Sequence, residues 1–307
     1  MTAETPSTEA PADVPQEAPA PACVMSFNAS DPSGAGGLAG DVATIAAMGA
    51  HALPVVTAVV LRDTAEVFSH TPLEADTIVE QARSILEDVT ISAWKVGFLG
   101  SAEGVGAVAE VLSDYPDVPL VAYMPNLSWI EDDDLQAYLD SFRELVLPQT
   151  ELLVGNHKTL TDFLLPDWEA DRPASPRELA VAAAEHGTRF VLVTGVALPD
   201  QFIDNVLASP QGALTGEKFE RFEVAFVGAG DTLSAALAAL LASGAELQAA
   251  IGEALTFLDQ SLDAGFRPGM GNVLPDRFFW ALPPPEEAEG EGDIDTGPAP
   301  GEPRRVH

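Results

Sequence analysis

A single cysteine, Cys23, stands in 307 residues, which excludes an internal disulfide framework and a cysteine-rich zinc site. Bases are scarce: 14 Lys+Arg face 48 Asp+Glu, a formal charge of −34. Nucleic acid and anionic membranes both demand positive surface, so neither is an expected partner. No apolar run approaches the ~20 residues that cross a bilayer; Ala52–Leu61 and Leu233–Ala242 reach only about ten. No basic patch followed by a hydrophobic segment marks a secretory signal, so a soluble cytoplasmic protein is expected. A P-loop signature is absent, as is any repeat of 20–50 residues that would build a solenoid. What the chain does have is 47% hydrophobic residues, enough for a sizeable core.

Both ends read as tails. Met1–Pro21 carries five prolines, four acids and little that is large and apolar. Pro283–His307 opens with three prolines and then turns acidic from Glu286 onward. Such composition cannot offset chain entropy by burial, so disorder is expected there, around one body at Ala22–Leu282. Within that body, Val24–Phe27, Leu53–Leu61, Ala93–Phe98, Pro119–Tyr123, Glu151–Val154 and Arg189–Thr194 read as buried strands. Helical patterns lie between them, at about Gly37–Met48, Ala75–Val89, Ala102–Ser113, Asp133–Leu145 and Pro176–His186. Alternation of this kind gives a parallel sheet covered by helices on both faces. Phe202–Ala208, Ala213–Leu214 and Phe219–Val227, separated by Pro210-Gln211-Gly212 and Thr215-Gly216-Glu217, predict an antiparallel meander. Two helices, about Asp231–Ser243 and Glu246–Ala264, close the body.

Two glycine-rich segments can carry chemistry. Asn28–Asp41 follows the first strand and enters a helix, where glycines let backbone approach a ligand and the helix start adds positive partial charge. Gly34-x-Gly36-x-x-Ala39 loosely matches a dinucleotide fingerprint, with Asp63 near the end of the next strand. Its glycines come too late after the strand for that use. Val227-Gly-Ala-Gly-Asp-Thr-Leu-Ser234 precedes an Ala/Leu helix, and its glycines leave several N–H groups free to surround an anion. Asp231 there is either an N-cap or a base that accepts a proton from an attacking hydroxyl. His51, His70 and His186 have no ligand-spaced partners, and Cys23 reads as a small buried hydrophobe.

Ser30-Asp-Pro-Ser-Gly-Ala-Gly-Gly with Asp41, Lys95-Val-Gly-Phe-Leu99, and Gly228-Ala-Gly-Asp-Thr-Leu-Ser-Ala-Ala-Leu237 together resemble the hydroxymethylpyrimidine/phosphomethylpyrimidine kinases of the ribokinase superfamily. The resemblance runs from Cys23 to Leu282. It implies an α/β class, a three-layer α/β/α fold with a mostly parallel sheet, and transfer of phosphoryl from ATP with Mg²⁺. The acceptor would be 4-amino-5-hydroxymethyl-2-methylpyrimidine or its monophosphate. It also implies that Ala29, Gly36, Asp41, Val60 and Phe98 line the pyrimidine pocket, with Asp41 accepting from the ring amino group. Gly228, Ala229, Gly230 and Asp231 would form the anion hole, with Asp231 nearest the reacting hydroxymethyl. Asn156, Lys158 and Thr194 are the candidates for nucleotide contact, Lys158 having a solvated surface lysine as its alternative. Homodimers are common among such relatives.

The chain departs from the family at several of these places. Relatives usually carry cysteine where Asp231 stands, whereas the wider superfamily of sugar and pyridoxal kinases carries Asp. An amide is usual where this chain has Arg62, an acid where it has Met124, and a Glu where it has Thr159. The last two weaken the case for magnesium-organising carboxylates, for which Asp132, Asp133 or Asp134 could substitute; the other reading of that run is a solvated helix start. Metal ligands therefore stay unassigned. Three readings remain: the pyrimidine kinase, a kinase fold that binds a pyrimidine or nucleotide without turnover, and a kinase for pyridoxal or a sugar. Deleting Met1–Pro21 together with Pro283–His307 should leave the melting temperature nearly unchanged, as differential scanning calorimetry would report; a drop of many degrees would show a tail packed on the body.

Overall fold

In the computed structural model, which describes residues 20–281, nine strands form one sheet. They are β1 (Cys23–Ser30), β2 (His51–Arg62), β3 (Val67–Pro72), β4 (Ala93–Val96), β5 (Leu120–Tyr123), β6 (Leu152–Asn156), β7 (Phe190–Ala197), β8 (Phe202–Ser209) and β9 (Gly212–Glu220). Their order across the sheet is β3-β2-β1-β4-β5-β6-β7-β8-β9. The five pairings from β2 across to β7 are parallel, and β3, β8 and β9 are added antiparallel. The order reverses beside β1, which has β2 on one side and β4 on the other. Open α/β sheets place their ligands outside the strand C-termini at such a switch.

Helices cover both faces. On one side α2 (Ala75–Leu86), α3 (Ala102–Ser113), α4 (Asp132–Ser141), α5 (His157–Leu164) and α6 (Pro176–Glu185) bury Ile78, Val108, Tyr138, Phe163 and Leu179. On the other, α1 (Gly37–Ala47), α7 (Ala229–Ala242) and α8 (Leu247–Asp263) enclose a second core around Ile45, Leu237 and Ile251. Every residue of α7 from Thr232 to Leu240 is buried, because the helix lies between the sheet and two other helices. A helix apolar all round is a buried helix, and alanines let it approach its neighbours closely. This fixes the start of α7 firmly against the strand ends.

The three-layer architecture and the antiparallel addition agree with the sequence reading, with local differences. The meander has two long strands where three short ones were expected. Thr215-Gly216-Glu217 is no turn; it continues β9, with Gly216 opposite Val206 and the register slipping by one residue only beyond Thr215, and residues 221–227 form a loop. The β3 edge strand was unforeseen because its exposed Val67-Phe-Ser-His-Thr-Pro72 shows no apolar alternation. Helix α5 was also unforeseen, although Asn156 caps it by accepting from the Thr159 N–H at 2.9 Å. Cys23 is partly buried rather than buried. Residues 1–19 and 282–307, which hold nearly all of the two expected tails, lie outside the described residues.

Candidate active site

β1 ends in Asn28, Ala29 and Ser30, and its register against β2 slips by one residue between Asn28 and Ser30. The extra residue of that bulge lies in β2, and Asn28 beside it is buried. Its side-chain carbonyl accepts from the amides of Ala29 (2.9 Å) and Phe98 (3.0 Å). Its Nδ2 donates to Asp41 Oδ2 at 2.9 Å and to Asp231 Oδ1 at 2.8 Å. The carboxamide occupies the place of a side chain at Gly97, so glycine is required there.

Lys95, in the wholly buried strand β4, supplies the charge in this network. Its ammonium lies 2.8 Å from Asp41 Oδ1 and 2.9 Å from Asp231 Oδ1. The Lys95 and Asp41 side chains are fully buried, and that of Asp231 is 16% exposed. Ser26 Oγ also donates to Asp41, at 2.7 Å. Burial drives the Asp41 carboxyl above its ordinary range despite Lys95, with the Asp231 charge adding to the rise. For Asp231, burial acts upward, and the Lys95 charge, hydrogen bonds from Lys95 and Asn28 and the Gly37 amide act downward. The downward effects win, so Asp231 stays ionised below the usual carboxylate range. Lys95 is itself held above the ordinary lysine range: burial opposes its charge, and the two carboxylates more than offset that.

Asp231 is therefore no N-cap. The cap of α7 is Gly228, at φ +88°, and no side chain caps the turn. Asp231 lies three residues in and faces the cleft, with the free amides of the first turn around it. The two glycine loops meet directly, for a β-carbon on Gly228 would collide with the Ala35 carbonyl oxygen. One on Gly36 would meet Asp231 Oδ2.

Both loops open into one cleft of about 520 Å³, a volume suited to a small molecule. Ala29, Gly36, Val60, Arg62, Phe98, Gly228 and Asp231 line it, as do Tyr123 and Trp129. Phe98 is held edge-on by His70 and Trp129, with ring centroids 5.2 and 5.3 Å away. Arg62 meets Asp31 at 3.3 Å. Ala229 and Gly230 follow in the α7 turn, and Gly230 abuts the Tyr123 ring so closely that no side chain fits.

Asp41 differs from expectation: it does not line the cleft but sits behind Asn28 and Lys95, because α1 turns it in toward β1 and β4. Asn156, Lys158 and Thr194 are also outside the cleft lining. Asn156 and Thr194 are register partners at the ends of β6 and β7, where Thr194 Oγ1 donates to the Gly155 carbonyl at 3.4 Å. Lys158 is exposed and pairs with Asp162 one turn along α5, at 2.5 Å. Sequence reasoning gave no role to Asn28 or Lys95, although a lysine inside an apolar strand signals a buried partner.

Magnesium, which the family resemblance implies, finds no protein cage here. Met124 is buried in the core, Thr159 belongs to α5, and Asp132–Asp134 lie exposed in the first turn of α4, none of them lining the cleft. Among the described residues no three His, Cys, Asp or Glu side chains converge.

Comparison with known proteins now places the chain. Residues 31–276 match the family model described as phosphomethylpyrimidine kinase. This chain belongs to that family. It is 30% identical to the hydroxymethylpyrimidine/phosphomethylpyrimidine kinase of Streptomyces coelicolor over 85% of its length and 96% of that protein. It is 31% identical to the enzyme of the same description from Salmonella typhimurium, over 78% of its length and 90% of that protein. It is also 32% identical to the chloroplastic thiamine biosynthetic bifunctional enzyme of Arabidopsis thaliana over 85% of its length, spanning about half (49%) of that relative. In fold it is similar to the Bacillus subtilis pyridoxal kinase solved as an ADP complex, with a TM-score of 0.75 and 22% identity, covering 86% of this chain and 100% of that one. Phosphomethylpyrimidine kinase from Clostridium difficile gives 0.63 and 21%, covering 78% and 98%.

Two glycine substitutions separate site from scaffold. Gly228→Ala, at positive φ and against Ala35, should cost at least about 1–3 kcal/mol in chemical denaturation. Gly106→Ala, in open space within α3, should instead stabilise by about 0.5–1 kcal/mol.

Proposed function

We propose that this chain transfers the γ-phosphoryl group of ATP to the hydroxymethyl group of 4-amino-5-hydroxymethyl-2-methylpyrimidine, with the monophosphate as a second acceptor. The observation that carries this reading is an ionised Asp231 at the head of an uncapped amide turn, inside the cleft that both glycine loops line. The pyrimidine ring would lie against Phe98, Val60 and Ala29, with its hydroxymethyl group toward Asp231. Its oxygen forms a bond to the γ-phosphorus, the bond from that phosphorus to the β,γ-bridging oxygen breaks, and ADP leaves. The hydroxyl proton passes to the Asp231 carboxylate. Lys95 and Asn28 keep that carboxylate charged and oriented, while the α7 amides meet the charge on the moving group. Bound magnesium would neutralise phosphate charge; none of these steps runs through it. The nucleotide would approach from the β6–β7 side, where Asn156 and Thr194 stand next to each other.

One observation favours a second acceptor class. Arg62 puts a guanidinium into the cleft, paired with Asp31 at 3.3 Å, and an anionic ring substituent such as the pyridoxal phenolate would compete with Asp31 for it. An ADP-release assay across a panel of pyrimidine, pyridoxal and sugar acceptors, ranked by kcat/KM, decides between them. Binding of pyrimidine and MgATP by calorimetry without ADP release would instead favour a protein that no longer turns over.

Asp231→Asn should lower kcat by ~10²–10⁴-fold with acceptor affinity retained. Near-normal turnover would remove Asp231 from the chemistry. Lys95→Met leaves two buried carboxylates without their cation and should cost about 3–5 kcal/mol in stability. It should also move the acidic limb of the kcat/KM profile to higher pH. The sign follows from the depressed Asp231 pKa: the charged form persists as pH falls until that pKa is reached, and losing Lys95 raises it.

A further inference from the structure

Arg277 lies outside the cleft lining and outside every motif discussed above, yet it touches both glycine loops. It is 6% exposed. Its Nε donates to Thr232 Oγ1 at 3.0 Å, its Nη1 to the Gly34 carbonyl at 3.2 Å and its Nη2 to the Ala35 carbonyl. Thr232 Oγ1 in turn donates to the Gly228 carbonyl at 2.8 Å, the group that opens α7. One guanidinium fork thus spans the first loop and the α7 turn. Glycines clear its place: a β-carbon on Gly40 would lie 2.9 Å from Nη2, and one on Gly228 3.1 Å.

All three of these direct partners are uncharged oxygens, which is an expensive way to bury a cation unless its field is used. Burial pulls the Arg277 pKa down, and the carboxylates of Asp231, Asp41 and Asp31 act on it in the opposite sense from farther away. The charges around the turn explain the requirement. With both carboxylates ionised, Asp41, Asp231 and Lys95 sum to one net negative charge, next to the place where a further anionic group must arrive. Arg277 brings the set to neutrality from behind the amides.

We propose that Arg277 is a positioning residue for phosphoryl transfer. It locks the Gly228–Asp231 amide turn against the Gly34–Ala35 loop and sets a positive charge behind the place the moving phosphoryl group takes. The inference rests on the kinase reading for its acceptor, but not for its test. A plain structural staple would lower stability alone, whereas this role falls on the transition state.

The full-length protein, Arg277→Ala and Arg277→Lys are compared by steady-state ADP release and by calorimetry with MgADP, alone and with aluminium fluoride as a mimic of the moving phosphoryl. Arg277→Ala should lose roughly 10²-fold in kcat and a similar factor in affinity for the fluoride complex. MgADP affinity and acceptor KM should stay within about threefold, and added guanidinium ion should restore part of kcat. Arg277→Lys keeps the charge, loses the fork and should fall between; it carries the same readouts where the alanine variant does not fold. Unchanged kcat and fluoride affinity would overturn the proposal. So would equal losses with and without fluoride and no response to guanidinium. Wild-type protein that binds the fluoride complex but phosphorylates no pyrimidine would sink the acceptor assignment, leaving the fluoride titration to judge Arg277. Wild-type protein that binds neither nucleotide complex would overturn both.

Discussion

One lysine serves two carboxylates at the centre of this protein, and the candidate site is arranged around that sharing. Lys95 lies within 3 Å of both Asp41 and Asp231, and Asn28 bridges the same pair with its Nδ2. The four side chains come from β1, α1, β4 and α7, so the network can close only when the sheet and the α1–α7 layer on one of its faces are assembled. Its two acids are shifted in opposite directions for a stated reason. Asp41 is sealed from water and moves up; Asp231 receives more stabilisation than burial removes and moves down. Different environments thus give two chemically identical groups separate tasks, one structural and one facing the cleft.

The strongly acidic composition makes the few internal cations informative. A cleft that receives phosphates in a chain of charge −34 must create positive potential locally. Lys95 is committed to the two carboxylates, and Arg62 to Asp31. That leaves the amides at the start of α7, backed by the buried guanidinium of Arg277, as the positive end of the site. Small residues make the arrangement possible, since a side chain at Gly228, Gly230 or Gly36 would strike Ala35, Tyr123 or Asp231.

Much of this was legible in the sequence because it rests on patterns. Buried apolar strands alternating with helices announced the parallel sheet, and two glycine-rich motifs marked its crest. The exposed β3 edge left no such trace, and the all-polar start of α5 hid a helix behind an expected ligand motif. Asp41 was expected to contact substrate because the family resemblance implies it; which face of α1 it takes is a matter of packing that spacing does not determine. Arg277 was invisible for a related reason: its partners are backbone carbonyls and a threonine far away in sequence, and no local pattern encodes them. Lys95 is the instructive case. A charge in the strand Ala-Trp-Lys-Val demands a counter-charge, and that demand could have been traced to an acid on α1.

The central claim is that Lys95 holds Asp231 ionised while Asp41, one bond away in the same network, is pushed the other way. Carboxyl ¹³C NMR of the ligand-free protein across acid pH, with the two resonances assigned by Asp→Asn replacement, reads this directly. The account predicts that Asp231 titrates below the value of about 3.9 for a free aspartate and that Asp41 titrates above it. An Asp231 resonance that titrates at or above the free value, with Asp41 lowest, would contradict it.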